Sequence, residues 1–137
     1  MTEPKALANH LAGLTVMVVE DETIVSFLVE DMLTELGCAQ VFHASGVSEA
    51  LALLQERQPD AAVLDVNLAG EFAYPVAEVL DAGHVPFIFA TGYGRSGIPA
   101  HWAPRPVIQK PFDAATLAAA LGQVIPSQMP NPIPGQG

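Results

Sequence analysis

The stretch Asp60-Ala61-Ala62-Val63-Leu64-Asp65-Val66-Asn67-Leu68 decides how the rest of the chain can fold. Residues 61–64 form an unbroken apolar run, which is typical of a strand buried on both faces, as in a parallel sheet covered by helices. Asp65 is then predicted at the carboxyl end of that strand, where open α/β sheets place their sites. Taken alone, Asp65 could simply begin a turn, but other strand-like runs also end on polar residues.

Helix-like and strand-like segments alternate along the whole chain. The predicted strands cover residues 14–19, 39–44, 61–64, 86–90 and 107–109, and the predicted helices cover 22–36, 48 to before Pro59, 71–80 and 114–124. In the first helix, one apolar stripe is predicted to face the core, formed by Val25, Leu28, Val29, Met32 and Leu36. This alternation predicts βαβ units with right-handed crossovers and a single parallel sheet.

One crossover departs from the pattern. Between Thr91 and Val107 the chain contains six glycines and prolines. Gly and Pro at that density disfavour a helix, so the fourth helix should be reduced, absent or mobile. Trp102, within this segment, is expected to anchor it to the core rather than to contact a partner.

Composition limits the classes of protein that this chain can be. A length of 137 residues, half of them hydrophobic, suits one domain over residues 14–125, preceded by an arm or short helix at 1–13. The Pro-rich tail, residues 126–137, is predicted to be disordered. A net charge of −10 with only five Lys and Arg argues against nucleic-acid binding. A single cysteine, and no signal-peptide or membrane-spanning run, lead us to expect a cytoplasmic protein.

Polar side chains follow the predicted strands at the edge where parallel strands end together. They are Glu20 and Asp21 after the first strand, Asp65 after the third, Thr91 after the fourth and Lys110 after the fifth. Three neighbouring carboxylates repel one another, and an all-oxygen set without His or Cys favours Mg²⁺. A lysine and a hydroxyl suit phosphate oxygens. The set therefore predicts phosphoryl transfer to an aspartate, with Asp65 as the acceptor.

Four motifs in order make the chain resemble the receiver domain of response regulators in two-component signalling. They read Val18-Val19-Glu20-Asp21-Glu22, Leu64-Asp65-Val66-Asn67, Ala90-Thr91-Gly92 and Gln109-Lys110-Pro111-Phe112. The resemblance implies a flavodoxin-like (βα)5 doubly wound sheet with strand order 2-1-3-4-5. It also implies a cis bond before Pro111, phosphorylation of Asp65, and Thr91 and Lys110 on the phosphoryl group. The implied Mg²⁺ ligands are Glu20, Asp21, Asp65 and the backbone carbonyl of Asn67.

Residues 86–93, Pro-Phe-Ile-Phe-Ala-Thr-Gly-Tyr, are similar to the FATGUY receivers of alphaproteobacteria. This likeness implies a reduced fourth helix and, as partner, a sensor histidine kinase of HWE or HisKA2 type or a histidine phosphotransfer protein. Val107 occupies the position of the usual aromatic switch residue, so we expect phosphorylation to order residues 92–105 instead. With no output domain after residue 125, we expect the chain to act on its kinase or to divert phosphoryl groups. Receivers often dimerise through the fourth helix, fifth strand and fifth helix, so the reduced fourth helix leads us to expect a monomer.

Two apolar residues, Ile24 and Phe27, lie off the predicted core stripe and beside the site. Together with Phe112 they are candidates for docking a kinase, and the alternative is that Ile24 and Phe27 pack against residues 1–13.

Two other classes of protein share part of this chemistry. A haloacid-dehalogenase-type phosphatase also uses an Asp nucleophile, but it follows the first strand, with a second Asp two residues later. Here Asp65 follows the third strand, and Asn67 stands at that offset. A flavodoxin-like cofactor binder would need a hydroxyl- and Gly-rich loop after the first strand. We therefore expect a regulator that turns over no separate substrate.

Overall fold

A computed structural model describes residues 11–92 and 98–126 of the protein. These residues form seven strands: β1 Thr15–Val19, β2 Gln40–Ala44, β3 Ala61–Asp65, β4 Asn67–Leu68, β5 Glu71–Phe72, β6 Phe87–Thr91 and β7 Val107–Gln109. The α-helices are α1 Thr23–Glu35, α2 Val47–Glu56, α3 Tyr74–Ala82 and α4 Ala114–Val124. Five of the strands form one parallel sheet in the order β2-β1-β3-β6-β7, and β4 and β5 form a small antiparallel hairpin. The flavodoxin-like class and the 2-1-3-4-5 order of the main strands are confirmed.

The strands of the main sheet are buried on both faces because their side chains alternate between two separate cores. On one face, α1 and α4 cover a core that includes Val16, Val18 and Val63. On the other face, α2 and α3 cover a core that includes Met17 and Leu64. Both faces of β3 are therefore apolar, which explains its unbroken run of apolar residues.

The last helix begins where its sequence predicts. Asp113 is the N-cap of α4, and its side chain accepts a hydrogen bond of 2.9 Å from the backbone N–H of Thr116. This bond satisfies one of the N–H groups that the first turn of a helix leaves unpaired.

The structure corrects the predicted core stripe of α1. Leu28 is 52% exposed, whereas Leu33, absent from the predicted stripe, is fully buried. Val29 and Leu36 are buried as predicted. The helix carries a second apolar stripe through Ile24 and Leu28, and only one of the two stripes can face the sheet.

The start of α3 is also corrected. The predicted helix at 71–80 begins instead at Tyr74, and Glu71–Phe72 is a strand. Ala69 (φ 55°) and Gly70 (φ 91°) form a tight turn in left-handed backbone conformations, and this turn folds the segment back on Asn67–Leu68. Pro75 lies in the first turn of the helix, where its missing N–H costs no hydrogen bond.

The crossover between β6 and β7 contains only one short helix in its described part, the 3₁₀ turn Ala100–Trp102 over residues 98–106. Trp102 is buried, with ring centroids 5.8 Å from Phe87 and 6.1 Å from Phe89. The predicted anchoring role of Trp102 and the reduced fourth helix are confirmed for this part. The remaining crossover residues, 93–97, lie outside the described residues.

Most of the predicted arm and tail also lies outside the described residues. Of the arm only Leu11, Ala12 and Gly13 are described, and Leu11 is buried in the α1/α4 core. The boundaries at 14 and 125 and the disorder of residues 126–137 stay predictions. Within residues 11–92 and 98–126, no helix combines the length and apolar character needed to cross a membrane.

Candidate functional site

The ends of four parallel strands meet at one cleft of about 460 Å³. β1 leads into Glu20 and Asp21, β3 ends on Asp65, β6 ends on Thr91, and β7 leads into Lys110. The cleft is lined by Asp21, Glu22, Asp65, Asn67, Ala69, Thr91, Gly92 and Lys110. The sheet thus brings together side chains that are up to 90 positions apart in sequence.

Three carboxylates form the acidic part of the site. One oxygen each from Glu20, Asp21 and Asp65 lies within 4.8 Å of the others. Glu20 and Asp65 are buried and Asp21 is half-buried. The backbone N–H of Glu22 donates to Glu20 Oε2 at 3.1 Å, and the N–H of Asn67 donates to Asp65 Oδ1 at 3.3 Å. These bonds help to fix the orientation of the two buried carboxylates.

Lys110 bridges the two buried carboxylates. Its Nζ donates to Glu20 Oε1 at 2.8 Å and to Asp65 Oδ2 at 3.1 Å. Burial raises the pKa of Glu20 to about 6, against the opposing effect of its hydrogen bond with Lys110. Burial likewise raises the pKa of Asp65, with Lys110 again opposing. For Lys110 burial acts to lower the pKa, but the hydrogen bonds to both carboxylates outweigh it and the pKa is raised. The ammonium is therefore retained as the counter-charge of the acidic cluster.

The donor set fits a magnesium ion. All three side chains offer carboxylate oxygens, and the cluster has an open side toward the cleft. Mg²⁺ prefers oxygen ligands and is held by a few protein oxygens together with water. Lys110 supplies one positive charge against the three negative charges of the carboxylates, so a divalent cation would remove the remaining repulsion. Glu20, Asp21 and Asp65 are therefore the candidate ligands.

The other predicted site residues occupy the same edge of the sheet. Thr91 is buried at the end of β6, and its backbone carbonyl accepts a hydrogen bond of 2.9 Å from the N–H of Lys110. The Lys110–Pro111 peptide bond is cis, the conformation that the resemblance implied. The side chain of Asn67 is used locally, because its Oδ1 accepts a hydrogen bond of 2.8 Å from the N–H of Gly70 in the hairpin turn.

The candidate docking residues differ in their exposure. Ile24 is 75% exposed and Phe27 is 58% exposed, both on α1 directly after the acidic residues that line the cleft. Phe112 is half-buried and packs against the α1/α4 core. The two candidates on α1 are therefore largely exposed, whereas Phe112 presents only part of its ring. Residues 1–10, against which Ile24 and Phe27 were alternatively expected to pack, lie outside the described residues.

A hydrogen-bonded chain beside the site was not predicted. Ser26 Oγ and His43 Nδ1 are 2.5 Å apart, and His43 Nε2 is 2.9 Å from Glu30 Oε1. Because Ser26 and Glu30 are four residues apart on one helix and His43 is on β2, the chain joins α1 to the sheet. It borders a second cleft of about 260 Å³ that Phe27 and Glu49 also line. The four-residue spacing of Ser26 and Glu30 is visible in the sequence. Which strand residue lies opposite them depends on how α1 packs on the sheet, and the sequence pattern does not give that.

Comparisons with known proteins agree with this geometry. The model of the response regulator receiver domain family matches residues 16–122. Among curated proteins, the sensory transduction protein LytR of Streptococcus agalactiae is 31% identical over 116 residues, covering 80% of this chain and 47% of LytR. The match to a second LytR, from Streptococcus mutans, is 28% identical and covers 81% of this chain and 48% of that LytR. The chain thus spans about half the length of the curated relatives it matches.

Solved structures give the same result at the level of the fold. SdrG from Sphingomonas melonis Fr1 is 40% identical, with a TM-score of 0.72 over 82% of this chain and 95% of SdrG. A BeF3-activated conformation of SdrG, attributed to Pseudomonas melonis Fr1, is also 40% identical, with a TM-score of 0.68 over 78% and 94% of the two chains. The receiver domain of Erythrobacter litoralis PhyR is 27% identical, with a TM-score of 0.71 over 82% and 89%. On the family match and this shared architecture, the chain belongs to the response regulator receiver domain family of two-component signalling.

Proposed function

We propose that this chain is a phosphorylatable switch in which Asp65 accepts a phosphoryl group from a phosphohistidine. The observation that carries the proposal is the bridge from Lys110 to both Asp65 and Glu20 within a cleft that Thr91 also lines. A buried carboxylate with a fixed cation beside it and an open cleft before it is suited to accept an electrophilic phosphorus.

The proposed transfer has a simple chemical balance. A carboxylate oxygen of Asp65 forms a bond to phosphorus while the phosphorus–nitrogen bond of the donor phosphohistidine breaks. The electron pair of that bond stays on the imidazole nitrogen, which then takes up a proton. Bound Mg²⁺ would neutralise phosphoryl charge, held by Glu20, Asp21, Asp65 and the backbone carbonyl of Asn67.

Lys110 and Thr91 would sense the phosphoryl group once it is attached. Lys110 already contacts Asp65, so its ammonium would gain the phosphoryl oxygens as acceptors in place of a carboxylate oxygen. Thr91 would offer its hydroxyl as a second donor. The existence of a BeF3-activated conformation of the related SdrG supports a change of state of this kind.

Intact-protein mass spectrometry with acetyl phosphate tests this proposal directly. We expect one phosphoryl adduct on the native chain in the presence of Mg²⁺, and none after Mg²⁺ is removed. Asp65→Ala should abolish the adduct, whereas Asp31→Ala, which removes an exposed acid on α1, should not. An adduct that persists in Asp65→Ala would contradict the assignment of the acceptor.

The phosphodonor proposed is a sensor histidine kinase, of HWE or HisKA2 type, or a histidine phosphotransfer protein. Ile24 and Phe27, exposed on α1 next to the cleft, would contact its helical domain. The domain would then act by feedback on that kinase or by diverting phosphoryl groups from another regulator. Phe27→Asp should slow transfer from a phosphorylated kinase, with Val79→Asp on α3 as the control for an exposed apolar site. Equal transfer to both variants would exclude the α1 docking surface.

The phosphatase alternative gains no support. Asp65 ends the third strand of the main sheet, and the family match covers residues 16–122. We therefore propose a regulator whose only chemistry is its own phosphorylation and slow hydrolysis.

A further inference from the structure

Most of the exposed apolar side chains of this domain lie on two elements that adjoin the cleft, the helix α1, whose N-cap Glu22 lines it, and the β4–β5 hairpin. Among the described residues, the large hydrophobics with the greatest exposure are Ile24, Phe27, Leu28, Phe72 and Val79. The first three lie on α1, and Phe72 lies on the β4–β5 hairpin, whose Asn67 and Ala69 form part of the cleft wall. Only Val79, on α3, belongs to neither element.

The two elements lie on opposite faces of the sheet. α1 packs against the core that contains Val16 and Val18, whereas the hairpin residue Leu68 packs in the core that contains Met17 and Leu64. The cleft opens at the sheet edge between these faces. A macromolecule that reaches into the cleft will therefore meet an apolar surface on each side.

Packing and backbone hydrogen bonding support Phe72 in its exposed position. Buried Leu68 and Ala73 anchor the hairpin on both sides of it, and the N–H of Ala73 donates to the carbonyl of Val66 at 2.9 Å. The Phe72 ring stacks on Tyr74 with a centroid separation of 5.6 Å and an interplanar angle of 22°. A preordered aromatic ring loses little conformational entropy on binding, which is the property of an interface anchor.

Exposure alone would not assign Phe72 a role, because scattered exposed hydrophobics are ordinary. The Phe72 ring stacks on Tyr74, yet 54% of Phe72 remains exposed, so the contact with Tyr74 does not bury the Phe72 ring. Its position is what distinguishes it from Val79. It belongs to the same hairpin that forms the cleft wall and whose Asn67 N–H contacts the Asp65 carboxylate.

We infer that Phe72 is a second contact for the phosphodonor protein, across the cleft from α1. This inference rests on the proposed function. Asp65 is only 7% exposed, so a donor must bring the backbone around its phosphohistidine onto the rim of the cleft. The segment beside that histidine then packs on Phe72. Glu22 is exposed and lines the cleft, and Glu71 is exposed beside Phe72 on the hairpin, so the matching surface is apolar and flanked by basic residues.

Paired phosphotransfer assays separate this contact from the chemistry of the site. The assays compare four chains: the native chain, Phe72→Ser, Phe72→Leu and the control Val79→Ser. Each chain receives the phosphoryl group in one assay from a phosphorylated HisKA2-type kinase that serves the native chain, and in a separate assay from acetyl phosphate. We expect Phe72→Ser to lower kcat/KM with the kinase by about 10- to 30-fold, as for an aromatic interface anchor. Phe72→Leu should retain most of the rate, and Val79→Ser all of it. With acetyl phosphate, all four chains should react alike.

The possible outcomes distinguish this inference from the function on which it rests. Unchanged kinase transfer to Phe72→Ser would overturn the inference alone, and so would an equal loss with acetyl phosphate, which would mean that Phe72 supports the site rather than the partner. If kinase transfer to Phe72→Ser is normal and size-exclusion chromatography shows self-association of the native chain but not of Phe72→Ser, Phe72 belongs to a contact between two copies and the inference is overturned. Failure of both donors to modify the native chain would overturn the proposed function and this inference together.

Discussion

Replacing Lys110 by methionine should make the stability of the fold depend on magnesium. Lys110 Nζ lies 2.8 Å from Glu20 Oε1 and 3.1 Å from Asp65 Oδ2, so its removal takes away the ammonium that contacts both buried carboxylates. Breaking a buried ion pair by removing one partner costs about 3–5 kcal/mol. Because the cleft is open to water and the carboxylates can bind a proton, we expect a loss of about 2–3 kcal/mol in the free energy of unfolding at pH 7.

Urea unfolding without divalent cations measures this loss. With a slope of about 1–3 kcal/mol per molar urea for a domain of this size, the midpoint should fall by roughly 1 M. Added Mg²⁺ should then stabilise Lys110→Met more than the native chain, because in the variant the ion replaces the positive charge that Lys110 supplied to Glu20 and Asp65.

A matched control removes a cation that is remote from the carboxylates. Arg57 lies over the Phe42 ring, 4.0 Å from its centroid, and Arg57→Met should cost at most about 1 kcal/mol whether or not Mg²⁺ is present. The reasoning is refuted if Lys110→Met is as stable as the native chain without Mg²⁺, or if Mg²⁺ stabilises both chains equally.

Three further predictions concern other parts of the fold. Burial raises the pKa of the Cys38 thiol from 9.0 to about 11, so between pH 9 and 11 the thiol ionises in the unfolded chain but not in the folded one. The free energy of unfolding should therefore fall over this range, by up to about 2–3 kcal/mol more than in Cys38→Ala. Parallel pH curves of the two chains in urea unfolding would contradict this. Gly70 has a φ of 91°, so Gly70→Ala should cost about 1–2 kcal/mol in the same assay, and an unchanged midpoint would contradict the strain. Trp102 is the only tryptophan and lies in the segment 92–105 that phosphorylation is expected to order. Phosphorylation should therefore change the emission of Trp102 and slow hydrogen exchange in residues 92–105. Identical emission and exchange in phosphorylated and unphosphorylated chains would exclude ordering of that segment.

The site was predictable because it depends on where strands end. Apolar runs that stop at Asp65, Thr91 and Lys110 mark buried parallel strands, and parallel strands necessarily end at one edge. The structure indeed places Asp65 and Lys110 in hydrogen-bond contact, 45 positions apart in sequence. This part of the prediction needed no knowledge of packing detail.

Features that depend on tertiary choice were not predictable in the same way. In α1 the stripe through Ile24 and Leu28 has the same helical spacing as the stripe through Val29 and Leu33, so periodicity alone could not say which one faces the sheet. Ahead of α3, Gly70 is a turn signal that could have indicated the hairpin, but the helix-compatible residues after it favoured a longer helix. The exposure of Phe72 follows from that hairpin and was therefore missed with it.

The separation of the two cores by the main sheet has a consequence for how such domains diverge after gene duplication. α1 and α4 pack on one core, and α3 and Trp102 pack on the other core, on the opposite face of the sheet. Substitutions that repack one core should be nearly additive with substitutions in the other, because no side chains are shared between them. A duplicated copy could therefore exchange the surface on α1 through repacking beneath it and keep the Trp102 crossover unchanged.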